Sequence, residues 1–398
     1  MGGEQPLATN PSYAPPRDDE EIARIGEVLA HAFLFPVERA RAYLERGGLE
    51  NVRVIRDGGD VQGALLILPM GQWFGERAVP MAGIAAVGIA PDHRGRGAGT
   101  RLMRAVVEEL HANGTPLSAL YPATQPIYRR QGYEQAGMHF EVRLPTDHIH
   151  VHDRTLELRP TRPDDQPAIE ELYRRSARRA PGNLERHHLI WHRVRESPED
   201  KVQGFCVGRD GQLEGYVYYM QKRASPRWYS LHVTDYVAAT PDAGRRLLAF
   251  FADHRSLADE VIWRSGPRDP LLMLLPEQRH SRTLQDYWML RIVNVPAALQ
   301  ARGYAAQLSG ELHLEVRDDV LPANGGRFVL EVADGQGHVR SGGRGELQMD
   351  VRGLAALYSG FLAPRDLAAA GYAAGSEDAY ATAEAIFAGP APWMRDHF

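Results

Sequence analysis

The segment Val87-Gly88-Ile89-Ala90-Pro91-Asp92-His93-Arg94-Gly95-Arg96-Gly97-Ala98-Gly99-Thr100 constrains this chain more than any other. An apolar run over Met81–Ile89 predicts a buried strand that must stop at Pro91. Apolar residues Leu102, Met103, Val106, Val107 and Leu110 then recur at helical spacing, which predicts a helix over about 98–112. Glycines where strand turns into helix let main-chain N–H groups approach an anion, and the open first turn and helix dipole favour phosphate there. Arg94 and Arg96 can add charge-assisted contacts. Other phosphate loops fit less well. A Walker loop needs Gly-Lys, and neither Lys201 nor Lys222 follows a glycine. A dinucleotide fingerprint wants glycine or alanine where Thr100 stands, and an acid near Ala119 and Leu120.

The 398 residues allow two to four domains. A formal charge of -5 argues against broad nucleic-acid binding, and no apolar run is long enough for a membrane span. One cysteine, Cys206, excludes an internal disulfide or cysteine-rich metal site. Residues 1–19 lack the apolar core of a secretory signal, and Pro6 spoils a myristoylation context at Gly2, so a cytoplasmic protein with a loose N-terminal arm is expected. Three blocks follow. Residues 1–150 alternate helices and strands, with helical periodicity at 22–35 and strands at 52–55, 64–68, 81–89 and 117–121. Residues 151–290 repeat that plan weakly, since Tyr236–Phe251 echoes Val87–Val107 but has Thr240-Pro241-Asp242 in place of the glycine loop. Residues 291–398 predict an antiparallel meander around Leu312–Val316 and Phe328–Val332, then helices at 354–362 and 381–387, and a tail that ends on Phe398. The fold class expected is α+β.

The Arg94-x-x-Gly97-x-Gly99 segment resembles the acetyl-coenzyme A loop of the GNAT superfamily of N-acetyltransferases. That resemblance implies that main chain from Gly95, Arg96, Gly97, Ala98, Gly99 and Thr100 holds a pyrophosphate. It also implies that Val87, Gly88 and Ile89 pair with the pantetheine arm as an added strand would. The segment Ile127-Tyr128-Arg129-Arg130-Gln131-Gly132-Tyr133 is similar to a second part of the same site, in which Tyr128 stands near the thioester sulfur. A phenol there can reprotonate a leaving thiolate, so Tyr128 is the candidate general acid. Ala123 and Thr124 would lie beside the acyl or pantetheine end.

The whole chain resembles the Eis-type branch more closely, through the Thr240-Pro241-Asp242 echo, the Trp288–Leu299 run and the Pro392-Trp393…Phe398 ending. The branch implies two tandem GNAT-like domains, the second degenerate, then a sterol-carrier-protein-like domain. It implies that the carboxylate of Phe398 returns to the active site as general base, with acetyl-CoA as cosubstrate and no metal. Implied acceptors are aminoglycosides, other polyamines or lysine side chains, and the implied assembly is a homo-oligomer, a hexamer in the branch. Phe33, Phe35, Asp396 and His397 are candidate acceptor contacts. A coenzyme A sensor with a lipid- or partner-binding third block is the non-enzymatic alternative. His148, His150 and His152 would share one face of an extended strand, and His188 and His192 one helix face, but packing or surface roles suit both better than metal binding. Cys206, between Phe205 and Val207, reads as a buried core thiol.

Overall fold

The computed structural model describes residues 12–198 and 200–398, so the first eleven residues of the expected N-terminal arm lie outside the described residues. The chain begins its core with helix Asp19–Phe33. Asp18 accepts the Glu21 N–H at 2.9 Å, three acids occupy the first turn, and Ile22, Ile25, Val28 and Leu29 face inward. Helix Val37–Gly47, which sequence periodicity did not predict, packs beside it.

Strands Val52–Asp57, Asp60–Phe74 and Arg77–Ile89 form an antiparallel meander. Helix Ala98–Ala112 then crosses over to strand Leu117–Leu120, which runs parallel to Arg77–Ile89. The second block repeats this unit: strand Tyr229–Ala238, helix Pro241–Ala252 and the parallel strand Ala258–Ser265. The expected echo is therefore a structural repeat. Its helix start is different, because Thr240 caps Ala243 N at 3.2 Å and Asp242 sits in the first turn. A chain carboxylate and a cap leave little there to attract phosphate.

The expected division near 150 and 290 follows chain order, but the sheet crosses it. Strand Ser281–Ile292 inserts between Leu117–Leu120 and Glu134–Pro145. Strand Glu134–Pro145 in turn pairs with Ala258–Ser265 of the second block. The two acetyltransferase-like halves thus exchange strands within one 13-stranded sheet of the described residues.

The third block is a five-stranded sheet in the order Gln336–Ser341, Gly326–Ala333, Gly310–Arg317, Leu347–Asp350 and Ala373–Gly375. Its helix Val351–Ser359 packs on Glu134–Pro145 and Ser281–Ile292, and one apolar core runs from Ile25 through Trp288 to Leu354. The histidines predicted on an extended strand are not on one: Thr146–His148 is a 3₁₀ turn, and residues 149–155 have no regular structure. The Thr146 hydroxyl caps the Ala258 carbonyl at 2.5 Å and ends the strand there.

Candidate active site

Strands Arg77–Ile89 and Leu117–Leu120 pair only at Met81↔Leu117, Ala82↔Ser118 and Gly83↔Ala119. Beyond Gly83 the first strand keeps its other neighbour, so among the described residues one main-chain edge over Ile84–Ile89 has no strand partner. A bulge shapes that edge. Two residues, Ala86 and Val87, lie opposite Leu65, and Ala86 has φ 52°. Ala85 and Ala86 consequently pack on one face of the sheet, while Ile84, Val87 and Ile89 pack on the other. The main-chain groups are re-aimed where an extended ligand would pair with them. Gly88 lets this strand approach helix Asp19–Phe33, since a Cβ there would meet Leu29 Cδ2 at 2.7 Å.

The strand stops at the 3₁₀ turn Pro91–His93, and the chain enters helix Ala98–Ala112 through Gly95 (φ 73°) and Gly97 (φ 80°). Only glycine adopts this left-handed backbone cheaply. A Cβ at Gly95 would meet nothing within 4 Å, so the turn is open. The helix start has no side-chain cap and no acid in its first turn. Arg94 and Arg96 are exposed and form no ion pair among the described residues, although Arg94 Nε donates to the Ile89 carbonyl at 3.3 Å. These features fit a bound pyrophosphate. Gly99 is different: it is buried, and a Cβ would strike Ile127 Cδ1 at 2.9 Å, so this glycine packs the turn against helix Gln125–Arg129. Ala98 also points inward, and Thr100 is half-buried.

Exposed Ala123 and Thr124 lead from strand Leu117–Leu120 into that short helix. The Tyr128 carbonyl accepts N–H groups from Gln131 at 2.8 Å and Tyr133 at 3.2 Å, and Gly132 closes the turn with φ 80°. Tyr128 is 6% exposed, lies edge-on to Tyr133, and burial pushes its phenol above the usual range. Phe398 approaches from the other face of the sheet. Its ring is 7% exposed, meets Tyr121 edge-to-face at 6.1 Å, and covers Gly83, where a Cβ would lie 2.8 Å from Phe398 Cε2. Tyr121 also stacks on His397 at 4.3 Å and donates to the Met394 carbonyl at 3.2 Å.

The tail preceding Phe398 is bound firmly. Met138 donates to the Pro392 carbonyl, and Trp393 donates to that of Pro181 at 2.9 Å. Arg186 grips both oxygens of Asp396, at 2.8 and 2.9 Å, and Asp235 at 2.6 Å. Arg395 takes the other Asp235 oxygen at 3.1 Å. Buried Arg186 and half-buried Arg395 thus balance two buried aspartates. Burial alone would raise the Asp235 carboxyl, yet Arg186 and Arg395 hold it below the usual range.

Two segments match acetyltransferase (GNAT) domain models, residues 16–136 and 182–292, and residues 295–395 match a sterol carrier protein domain. N-acetyltransferase Eis of Mycobacterium tuberculosis is 32% identical over 361 residues, covering 84% of this chain and 85% of that one. The chain belongs to the Eis family of N-acetyltransferases. It is an acetyltransferase, and acetyltransferases of its superfamily use acetyl-CoA. A GCN5-related N-acetyltransferase from Anabaena variabilis superposes with a TM-score of 0.94 at 42% identity, covering 98% of this chain and all of that one. Eis1 of Mycobacterium abscessus, 24% identical with a TM-score of 0.80, shares the fold over 98% of this chain and all of that one.

In this Eis-family chain the candidate acceptor contacts separate. Asp396 is committed to Arg186, so its carboxylate anchors the tail and is not free for an acceptor. His397 lines a cavity of about 390 Å³, together with Arg39, Arg193, Lys222 and Arg264. Phe33 and Phe35 stack at 5.7 Å, but neither lines that cavity. His187 caps its own helix by accepting Leu189 N–H, and burial pushes the Cys206 thiol up to about 11. Sequence reasoning passed over Gly83, Ala86, Tyr121, Arg186, Arg193, Asp235 and Arg264. None of them stood out in the sequence, not even Gly83 and Ala86, since strand Arg77–Ile89 also holds Ala78, Ala82, Ala85 and Gly88.

Proposed function

We propose that this chain acetylates a primary amine, on an aminoglycoside, another polyamine or a lysine side chain, by direct transfer from acetyl-CoA. Its main chain at Gly95–Thr100 would hold the pyrophosphate, and the edge at Val87–Ile89 the pantetheine. The carrying observation is the strand edge left without a partner beyond Gly83↔Ala119, followed in the chain by an uncapped helix start. Acetyl-CoA supplies the activated acyl group as a thioester. The Phe398 carboxylate takes the amine proton, and the Tyr128 hydroxyl gives a proton to the departing sulfur. Burial supports the second role, because it keeps the phenol protonated. The two groups belong to cores on opposite faces of the sheet, which suits an amine arriving on one side and a thiol leaving on the other. No covalent enzyme intermediate is needed.

The test is thiol release from acetyl-CoA across a panel of primary amines. Tyr128→Phe and one residue added after Phe398 should each lower kcat by about 10²-fold or more, the range of lost acid–base catalysis. Unchanged rates in both remove these roles. We also propose a cytoplasmic homo-oligomer, a hexamer by the Eis resemblance. Among the described residues no helix is long and apolar enough to cross a membrane. Sedimentation as a 44.3 kDa monomer would contradict the assembly.

A further inference from the structure

Helix Gln125–Arg129 carries Tyr128, and its five residues begin without a side-chain cap. A helix so short cannot hold its own place in water, so side chains around it must do so. Arg129, next to Tyr128, closes a fork on Glu134. Its Nε donates to both carboxylate oxygens at 3.0 Å, and its Nη2 to Oε1 at 2.6 Å. Such forks fix direction as well as strength. Glu134 begins strand Glu134–Pro145, is buried, and takes the Gln135 N–H on Oε1 at 3.0 Å. Its Oε2 takes the Tyr372 hydroxyl at 3.1 Å. Among the described residues that oxygen has no other donor except the shared Arg129 Nε.

Tyr372 belongs to the third block, in the turn between helix Pro364–Ala369 and strand Ala373–Gly375. It is fixed there. Its N–H donates to the Leu367 carbonyl at 2.8 Å, and the Arg352 guanidinium lies 5.3 Å from its ring centre, held by Asp350 at 2.7 Å. Burial, then the Glu134 carboxylate, pushes the Tyr372 phenol up, so it stays protonated as a donor. Resting on the Tyr128 reading above, we infer that Glu134 and Tyr372 are positioning residues for the general acid: the third block, through the Tyr372 hydroxyl, aims the Glu134 fork that holds the Tyr128 helix. Without that hydroxyl, Oε2 is left short of a donor at a buried site, and the carboxylate turns to find one. Arg129 turns with it and carries the helix along. A misplacement of about 1 Å at a reacting group costs up to about 10²-fold.

Steady-state kinetics test this. Tyr372→Phe removes one hydroxyl and keeps the ring beside Arg352. It should lower kcat about tenfold and leave the KM for acetyl-CoA within about twofold. Glu134→Gln keeps the size but loses the charged fork, and should lower kcat at least as far. In a Tyr128→Phe background, Tyr372→Phe should change kcat by less than about twofold, since no acid remains to be misplaced. An equal loss in both backgrounds overturns the inference and leaves Tyr372 a structural contact. A second readout needs no turnover. With 3-fluorotyrosine at position 128, the fluorine resonance should move in Tyr372→Phe, and its titration should shift to lower pH as the ring gains water. An unchanged resonance and titration overturn the inference even where rates change. If Tyr128→Phe alone keeps the native kcat, the acid role fails, and the fluorine signal still decides whether Tyr372 holds that ring.

Discussion

Gly83 stands where the last inter-strand pair, the bulge and the returning tail meet. A Cβ there would lie 2.4 Å from Met70 Cε and 2.8 Å from Phe398 Cε2. Met70 can swing aside, but the Phe398 ring must shift and carry its carboxylate with it. Gly83→Ala should therefore lower kcat at least about tenfold at a stability cost of about 1 kcal/mol, within the ordinary range of a surface-to-core methyl change. Acetyl-CoA affinity, measured by calorimetry, should hold; a parallel loss of affinity would show that Gly83 serves the cosubstrate instead. The same neighbourhood sets a pH dependence. His397 and His139 are held at about 3 and about 4 in the folded protein. Unfolded, each returns to about 6.5. Between those limits the unfolded chain binds more protons, so stability is present above about pH 6.5 and is lost as pH falls toward the folded values. The urea midpoint should drop between about pH 7 and pH 4.5, and His397→Asn should flatten that fall. An unchanged slope would mean that His397 keeps its ordinary titration.

At the scale of elements, the bulge decides what strand Arg77–Ile89 can do. Ala86 holds a left-handed φ of 52°, which for a residue with a side chain costs about 1–2 kcal/mol. Ala86→Gly removes that cost, offset by the greater freedom of glycine when unfolded, and should be nearly neutral. Ala86→Val should destabilise the protein by about 2 kcal/mol and raise the KM for acetyl-CoA, because a β-branched residue resists this conformation. Urea unfolding and steady-state kinetics check both, and equal stability of the two variants would mean that the bulge slides. Elements written in local pattern were legible: the helix expected over 98–112 is Ala98–Ala112, and the Thr240-Pro241-Asp242 echo is a second strand-turn-helix unit. The bulge was not legible, because alanine carries no mark of positive φ. The histidine stretch misled, since Thr146 ends its strand through a hydroxyl bond to Ala258, more than a hundred residues away. The site divided in the same way. The glycine turn and Tyr128 stand on local spacing, whereas Arg186, Asp235 and Asp396 converge only in three dimensions.

For the whole molecule, the strand exchange carries the largest consequence. Strand Ser281–Ile292 brings Trp288, Met289, Leu290 and Ile292, all fully buried, between two strands of the first block. Each such side chain contributes about 1.5–3 kcal/mol on burial, so together they rival the net stability of an ordinary domain. The first block cut at residue 150 should therefore fail to fold, showing a broad, non-cooperative urea transition although it holds the whole glycine loop and Tyr128. The second block lacks Glu134–Pro145 when cut away and should fail likewise. In the intact chain the two acetyltransferase halves should melt in one calorimetric transition, with the van't Hoff enthalpy matching the calorimetric enthalpy across both. Two resolved transitions for those halves would show that each closes its own sheet. This coupling also explains how a tail ending at residue 398 comes to lie against strand Arg77–Ile89 at Gly83. The exchanged strands fix the two halves relative to each other, the Arg186–Asp235–Asp396–Arg395 cluster fixes the tail to the second half, and the Phe398 ring then reaches the first half at Gly83.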